Sequence, residues 1–190
     1  MKRLFIIHGW AGSPSEPLFV WLKAQAEAAG FEVTVPEMPI AETPNITHWV
    51  NHLRDVVGYI DETTYFIAHS IGAQAVVRYL QDPDGVALGG AVFLAPWMTV
   101  TGLASDAERD VARPWMENAI DFNKVRNVGG KFVTIFSDND QFVPVAENQA
   151  AFEKSLKSTS IIEQGKGHYS EADGVVSSQT AFDELVKISS

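Results

Sequence analysis

The chain has 190 residues with a formal net charge of −10 and no cysteine. That length suits one domain with a full core, and the acidic balance argues against nucleic acid or an anionic membrane surface as partner. Without cysteine, disulfides, thiolate catalysis and cysteine-based metal sites are excluded, which fits a reducing, cytoplasmic setting.

Met1-Lys2-Arg3 precedes only four apolar residues, too few for a signal-peptide core or a membrane span, so no membrane association is expected. Leu4 to Ile7 reads as a strand buried on both faces, as in a parallel sheet. His8-Gly9-Trp10-Ala11-Gly12-Ser13-Pro14 forms the loop after it, and the His8 side chain is expected to pack or hydrogen-bond within that loop. Pro17 suits a first helical turn, with Leu18, Trp21 and Leu22 on the buried face and Gly30 as the stop. Phe31 to Val35 is the second strand, followed by a loop broken by Pro36, Pro39 and Pro44. Asn45 can cap the next helix, whose stripe is Trp49, Leu53, Val56 and Ile60. His48 and His52 have a metal-compatible spacing on that helix, but no glutamate follows His48 and no third ligand is evident, so both are read as surface residues.

Tyr65 to Ala68 is the third strand. It runs into His69-Ser70-Ile71-Gly72 and a helix carrying Ala73, Val76, Val77 and Leu80. Small-x-Ser-x-Gly between a strand and a helix is the layout of a nucleophile elbow, where the residues two before and two after the serine must be small. Ala68 stands where a glycine is usual, and taken alone the five residues could equally be a helix cap. Ala91 to Ala95 is the fourth strand. Trp97 to Gly130 breaks the short strand–helix rhythm and reads as a small lid or insertion, with Trp97 and Trp115 as candidate substrate-facing residues and extra core packing as the alternative. Phe132 to Phe136 is the fifth strand, Thr159 to Ile162 a short sixth, and a last helix carries Phe182, Leu185 and Val186.

Six alternations of strand and helix give an α/β class with a doubly wound, mainly parallel sheet. In such sheets chemistry gathers beyond the carboxyl ends of the strands, so the loops holding Gly9-Trp10, Ser70, Asp140 and His168 should share one end. Ser70 needs a base, and among five histidines only His168 follows a late strand in a glycine-flanked loop. Asp140 would orient His168 and stabilise its charged form. The amides of Ile71 and Trp10 are the candidate donors to a developing oxyanion. Periodicity does not separate Asp140 from Asp138, since both follow the fifth strand on the same side.

The opening His8-Gly9-Trp10-x-Gly12-Ser13, the elbow Ala68-His69-Ser70-Ile71-Gly72, Asp140-x-x-Val143-Pro144 and Gly167-His168 together resemble the α/β-hydrolases. The likeness is nearest to the small serine hydrolases related to retinoblastoma-binding protein nine and the bacterial YdeN proteins. It spans nearly the whole chain. It implies an α/β-hydrolase fold with a minimal lid and a Ser-Asp-His triad that needs no metal or cofactor. The family pattern places the acid three residues before a valine-proline pair, which favours Asp140 and leaves Asp138 as a turn residue. The expected function is cleavage of small acyl esters through an acyl-enzyme, carboxylesterase-like, with a small-molecule acyl substrate. The alternative is a protein-binding module on a hydrolase fold with a weak or unused site.

Overall fold

The structure is a computed structural model that describes residues 1–85 and 87–190. Six strands, β1 (Arg3–Ile7), β2 (Glu32–Thr34), β3 (Thr64–His69), β4 (Gly90–Leu94), β5 (Lys131–Ser137) and β6 (Thr159–Glu163), form one sheet. Their order is β2-β1-β3-β4-β5-β6, and every pairing is parallel. The sheet is thus wholly rather than mainly parallel. The interleaved helices are α1 (Pro17–Ala28), α2 (Ile46–Val57), α3 (Ile71–Tyr79), α4 (Asp106–Glu117), α5 (Phe122–Asn127), α6 (Val145–Leu156) and α7 (Gln179–Ile188).

Side chains alternate across each strand, so a sheet covered on both faces needs two apolar sets. Leu4, Ile6, Tyr65, Ile67, Val92 and Leu94 face one cluster with Leu18 and Leu22 of α1 and Leu185 of α7. Phe5, Ile7, Phe66, Ala68, Ala91 and Phe93 face the other, with Trp49 and Leu53 of α2, Val76 of α3 and Phe152 of α6. Each leucine, isoleucine, valine or phenylalanine among them, fully buried, contributes roughly 1.5–3 kcal/mol. The local signals act where expected: Pro17 opens α1, Asn45 accepts from the His48 amide at 3.2 Å, and Gly30 follows α1 with φ of 87°. The α2 stripe is Trp49, Val50, Leu53 and Val57, one position displaced from the expected Val56, and Ile60 lies past the helix end.

The Trp97–Gly130 region holds α4 and α5 in place of a further strand. Ser105 accepts from the Glu108 amide at 3.1 Å, and Glu108 accepts from the Ser105 amide at 3.1 Å, a reciprocal cap that starts α4. Among the described residues, no helix is long and apolar enough to cross a membrane.

The order 2-1-3 matters most. The chain lays down β1, moves outward to β2, then returns to the other side of β1 for β3. The loops leaving β1 and β3 therefore diverge at a switch point, where a crevice opens above the sheet.

Candidate active site

Ser70 sits in that crevice. It follows β3 directly and has φ of 54° and ψ of −125°, in the left-handed half of the map that non-glycine residues avoid. The turn is pinned on both sides: the Ser70 amide donates to the Leu94 carbonyl at 2.9 Å, and the Ala73 amide donates to the Ser70 carbonyl at 3.1 Å. Gly72 is needed because a Cβ there would lie 2.5 Å from the His8 carbonyl oxygen and 2.9 Å from that of Ile7. The start of α3 thus rests against the end of β1 with no room for a methyl group. Gly9 serves the reverse contact, since a Cβ there would fall 3.2 Å from Ser70 Cβ and 2.9 Å from His69 Nδ1.

The Ser70 Oγ lies 2.9 Å from His168 Nε2, and His168 Nδ1 lies 2.7 Å from Asp140 Oδ2. A carboxylate only accepts, so the His168 proton sits on Nδ1, and Nε2 is left to accept from the serine hydroxyl. The Asp140 side chain is 1 % exposed and that of His168 15 %. Its other oxygen, Oδ1, accepts from the Phe142 amide at 2.9 Å and the Val143 amide at 3.1 Å, so both carboxylate oxygens are held. Asp138, two residues earlier, instead accepts from the Gly165 amide at 2.8 Å. A hydroxyl, an imidazole and a buried carboxylate joined in this order can move a proton from oxygen to nitrogen and stabilise the resulting imidazolium.

The loops bearing Asp140 and His168 are stitched together. Ser137 Oγ accepts from the Lys166 amide at 2.8 Å and donates to Asn139 Oδ1 at 2.7 Å, and Asn139 Oδ1 accepts from the Gly167 amide at 2.8 Å. Asp173 accepts from the His168 amide at 3.0 Å through Oδ2. Across the site, His69 Nε2 and the His168 carbonyl are 2.7 Å apart; a carbonyl only accepts, so His69 donates. Burial pushes the His69 pKa down to about 3, with the neighbouring His168 adding to the shift, so the ring is neutral and its donating proton is on Nε2. His8 is fully buried. Its Nε2 accepts from the Met38 amide at 3.0 Å, which puts the proton on Nδ1 to donate to the Gly9 carbonyl at 2.9 Å. The expectation that His8 serves the loop matches that geometry.

Above Ser70 is a cleft of about 670 Å³, walled by Trp10 and Glu16 on one side, Trp97, Val100, Leu103 and Glu108 on another, and Phe142, His168 and Glu171 on the third. Trp97 is therefore at the site, but Trp115 is not. Its indole is 2 % exposed, packs edge-on against Trp49 at 6.0 Å and donates to the Pro44 carbonyl at 3.1 Å. The expectation for Trp115 as a substrate-facing residue is corrected accordingly: α4 turns it into the core, because Ala112 and Trp115 are the buried positions of that helix. Residues 97–108 wall the cleft, while Trp115 and Val125 join the core cluster. His48 is exposed and His52 half-buried on α2. Among the described residues no group of three or more His, Cys, Asp or Glu side chains is placed to hold a metal ion.

A family model described as serine hydrolase matches residues 4–186. The chain belongs to the serine hydrolase family. Similar proteins include the hydrolase YdeN of Bacillus subtilis (strain 168), 26 % identical over 97 % of this chain and 94 % of that protein. The serine hydrolase RBBP9 of Rattus norvegicus is 24 % identical over 95 % of this chain and 84 % of its own length. The crystal structure of the YdeN gene product superposes with a TM-score of 0.86 at 25 % identity, over 99 % of this chain and 98 % of that one. Est1E from Butyrivibrio proteoclasticus, in its complex with ferulic acid, shares the fold at 17 % identity and a TM-score of 0.71, over 100 % and 86 % of the two chains. The six-stranded parallel sheet of this serine hydrolase, flanked by helices, is thus the α/β-hydrolase fold.

Four residues around Ser70, Asp140 and His168 escape a reading of the sequence. His69 precedes the elbow serine and reads as its neighbour only. Ser137 and Asn139 read as turn residues, although three consecutive acceptors after a strand signal a loop that must satisfy someone else's amides. Asp173 lies five residues past His168, where Ser170-x-x-Asp173 has the spacing of a short reciprocal cap.

Proposed function

We propose that this serine hydrolase cleaves small, largely apolar carboxylic esters through an acyl-enzyme on Ser70. The observation that carries the reading is the unbroken chain Asp140–His168–Ser70, at 2.7 and 2.9 Å, on the floor of an open cleft. His168 Nε2 takes the Ser70 proton as Oγ bonds to the acyl carbon, and the carbonyl π pair moves to oxygen. The tetrahedral oxyanion faces the amides of Ile71 and Trp10. Ile71 is the first residue of α3, so its N–H has no acceptor within the helix, and Gly9 lets the Trp10 loop lie against Ser70. Collapse expels the alkoxide, which takes the proton from His168. Water then repeats the sequence on the acyl-enzyme, giving the acid and restoring the serine. Asp140 keeps the proton on His168 Nδ1 and offsets the imidazolium charge at each stage. Val100, Leu103 and Phe142 offer the acyl chain apolar wall. The small-molecule acyl substrate, the cytoplasmic setting and the lid-like use of residues 97–108 belong to the same proposal.

The test is a series of p-nitrophenyl esters of graded acyl length, with fluorophosphonate labelling in parallel. The native chain should turn over and label at Ser70. Ser70→Ala should stay folded and lose at least about 10⁴-fold in kcat. A folded native chain that neither hydrolyses nor labels would leave the binding-module reading in its place.

A further inference from the structure

Ser70 Oγ has a second polar neighbour that the acyl-enzyme sequence does not use. Trp97 Nε1 lies 3.2 Å from it, in the buried base of the cleft. An indole N–H can only donate, so this contact has one sense: Trp97 donates and Ser70 accepts. The hydroxyl proton points to His168, one lone pair receives Trp97, and one remains free to attack.

The backbone is built to hold that indole. β4 ends at Leu94, and Ala95 then takes φ of 45°, a left-handed conformation that costs a non-glycine residue about 1 kcal/mol or more. Its amide donates to the Ile135 carbonyl at 2.8 Å, locking the kink to β5, and Pro96 fixes the next φ. Immediately after Trp97, the amides of Met98 and Thr99 donate to Asn148 Oδ1 at 2.7 and 3.0 Å. Asn148 Nδ2 donates to the carbonyls of Thr99 and Pro144 at 2.8 and 2.9 Å. Asn148 is fully buried, and its whole polar capacity goes to clamping this one segment onto the start of α6. Strain on one side of Trp97 and a saturated clamp on the other exceed what filling a cavity requires.

We infer that Trp97 is a catalytic group, whose indole N–H stabilises Ser70 Oγ as its proton leaves for His168. In the resting state the bond is neutral. As the O–H bond stretches and before the charge passes to the carbonyl oxygen, Oγ gains negative character and the bond becomes charge-assisted, hence stronger. The contact is therefore worth more on the way to the tetrahedral state than before it, which is the condition for accelerating the step. Once Oγ is an ester oxygen, it is a poorer acceptor and the indole is released. This rests on Ser70 being the nucleophile, as proposed above.

Two replacements remove the N–H: Trp97→Phe, and the isosteric tryptophan analogue β-(3-benzothienyl)alanine at the same position, which keeps the bulk. With p-nitrophenyl butyrate and a fluorophosphonate, both should lower kcat and the rate of Ser70 labelling by about tenfold, leaving KM within about twofold. An independent readout needs no turnover. In ¹⁵N-labelled protein the Trp97 indole proton resonance, assigned by its loss in Trp97→Phe, should move upfield in Ser70→Ala, where its acceptor is gone. An analogue-bearing enzyme with native kcat and labelling rate, or an indole resonance indifferent to Ser70→Ala, overturns the inference. If instead Ser70→Ala retains turnover, the nucleophile assignment itself falls, and that outcome is told apart by its occurring with Trp97 intact.

Discussion

Asp138 and Asp140 show how much hangs on a single side-chain direction. Asp140 spends one oxygen on His168 and the other on two amides, whereas Asp138 spends its Oδ1 on Gly165. An amide in place of Asp140 can donate to His168 and so favours the wrong tautomer, a change that costs about 10⁴-fold in the serine protease example. Asp140→Asn is expected to lose kcat on that scale. Asp138→Asn keeps an acceptor for Gly165 and should lose less than about tenfold. Measuring kcat for both on one p-nitrophenyl ester checks the ranking. His69 gives a pH prediction. Its folded pKa, about 3, lies below the ordinary unfolded value of about 6.5, so the unfolded chain binds the proton first. The stability from a neutral, buried His69 is thus complete above about pH 6.5 and is lost as pH falls toward 3, with a slope of up to about 1.4 kcal/mol per pH unit. His69→Gln keeps a donor for the His168 carbonyl but does not titrate. Its urea midpoint should therefore fall less steeply than that of the native chain between pH 6.5 and 4.

The helix that follows Ser70 is buried along its whole length, including Gln74 and Arg78. Arg78 donates through one nitrogen to the carbonyls of Trp115 and Asn118, both at 2.8 Å, and its guanidinium lies 5.8 Å from the Trp115 ring. A cation at the carboxyl end of α4 suits the helix dipole and satisfies carbonyls that the helix leaves open. Arg78→Met would leave those carbonyls without a partner, at a cost of about 2–3 kcal/mol. The expected fall in Tm is about 5–10 °C, measured by calorimetry, with ester hydrolysis well below Tm little changed. The same helix marks the limit of what the sequence makes legible. β1, β3, β4 and β5 announce themselves as apolar runs because they are covered on both faces, and the elbow is legible because Gly72 and Ser70 obey a local steric rule. Gln74 and Arg78 are buried on this helix, and nothing local in the sequence says that α4 will cover them. Trp115 fails for a related reason: the region reads only as a break in the strand–helix rhythm, and the face that α4 buries is set by contact with Trp49, far away in the chain. Trp97 reads as either a substrate-facing residue or core packing, and its bond to Ser70 depends on a backbone kink at Ala95 that no residue type announces.

At the scale of the molecule, the residues of the proposed mechanism gather at one end of the sheet, and the formal charge is −10. The cleft is walled by Glu16, Glu108 and Glu171, with no lysine or arginine among its described lining residues. A negatively charged acyl chain meets both a repulsive field on approach and unpaired desolvation on entry. For p-nitrophenyl esters of matched length, an anionic hemisuccinate should show a kcat/KM about tenfold or more below that of the neutral butyrate at low ionic strength. Raising salt to about 0.5 M should narrow the gap, because exposed carboxylates are screened over a few ångströms there.

Asp140 and His168 sit on neighbouring loops, whereas Ser70 lies 98 positions before His168. A ribosome adding about 5–20 residues per second needs about 5–20 s to travel that distance. On the mechanism proposed above, the emerging elbow has for all of that interval a hydroxyl but no partner to take its proton, so a nascent or prematurely terminated product carries no activated alcohol. Reactivity arrives late and at once, when the stretch between Ser137 and His168 has been made and its loops have closed on each other.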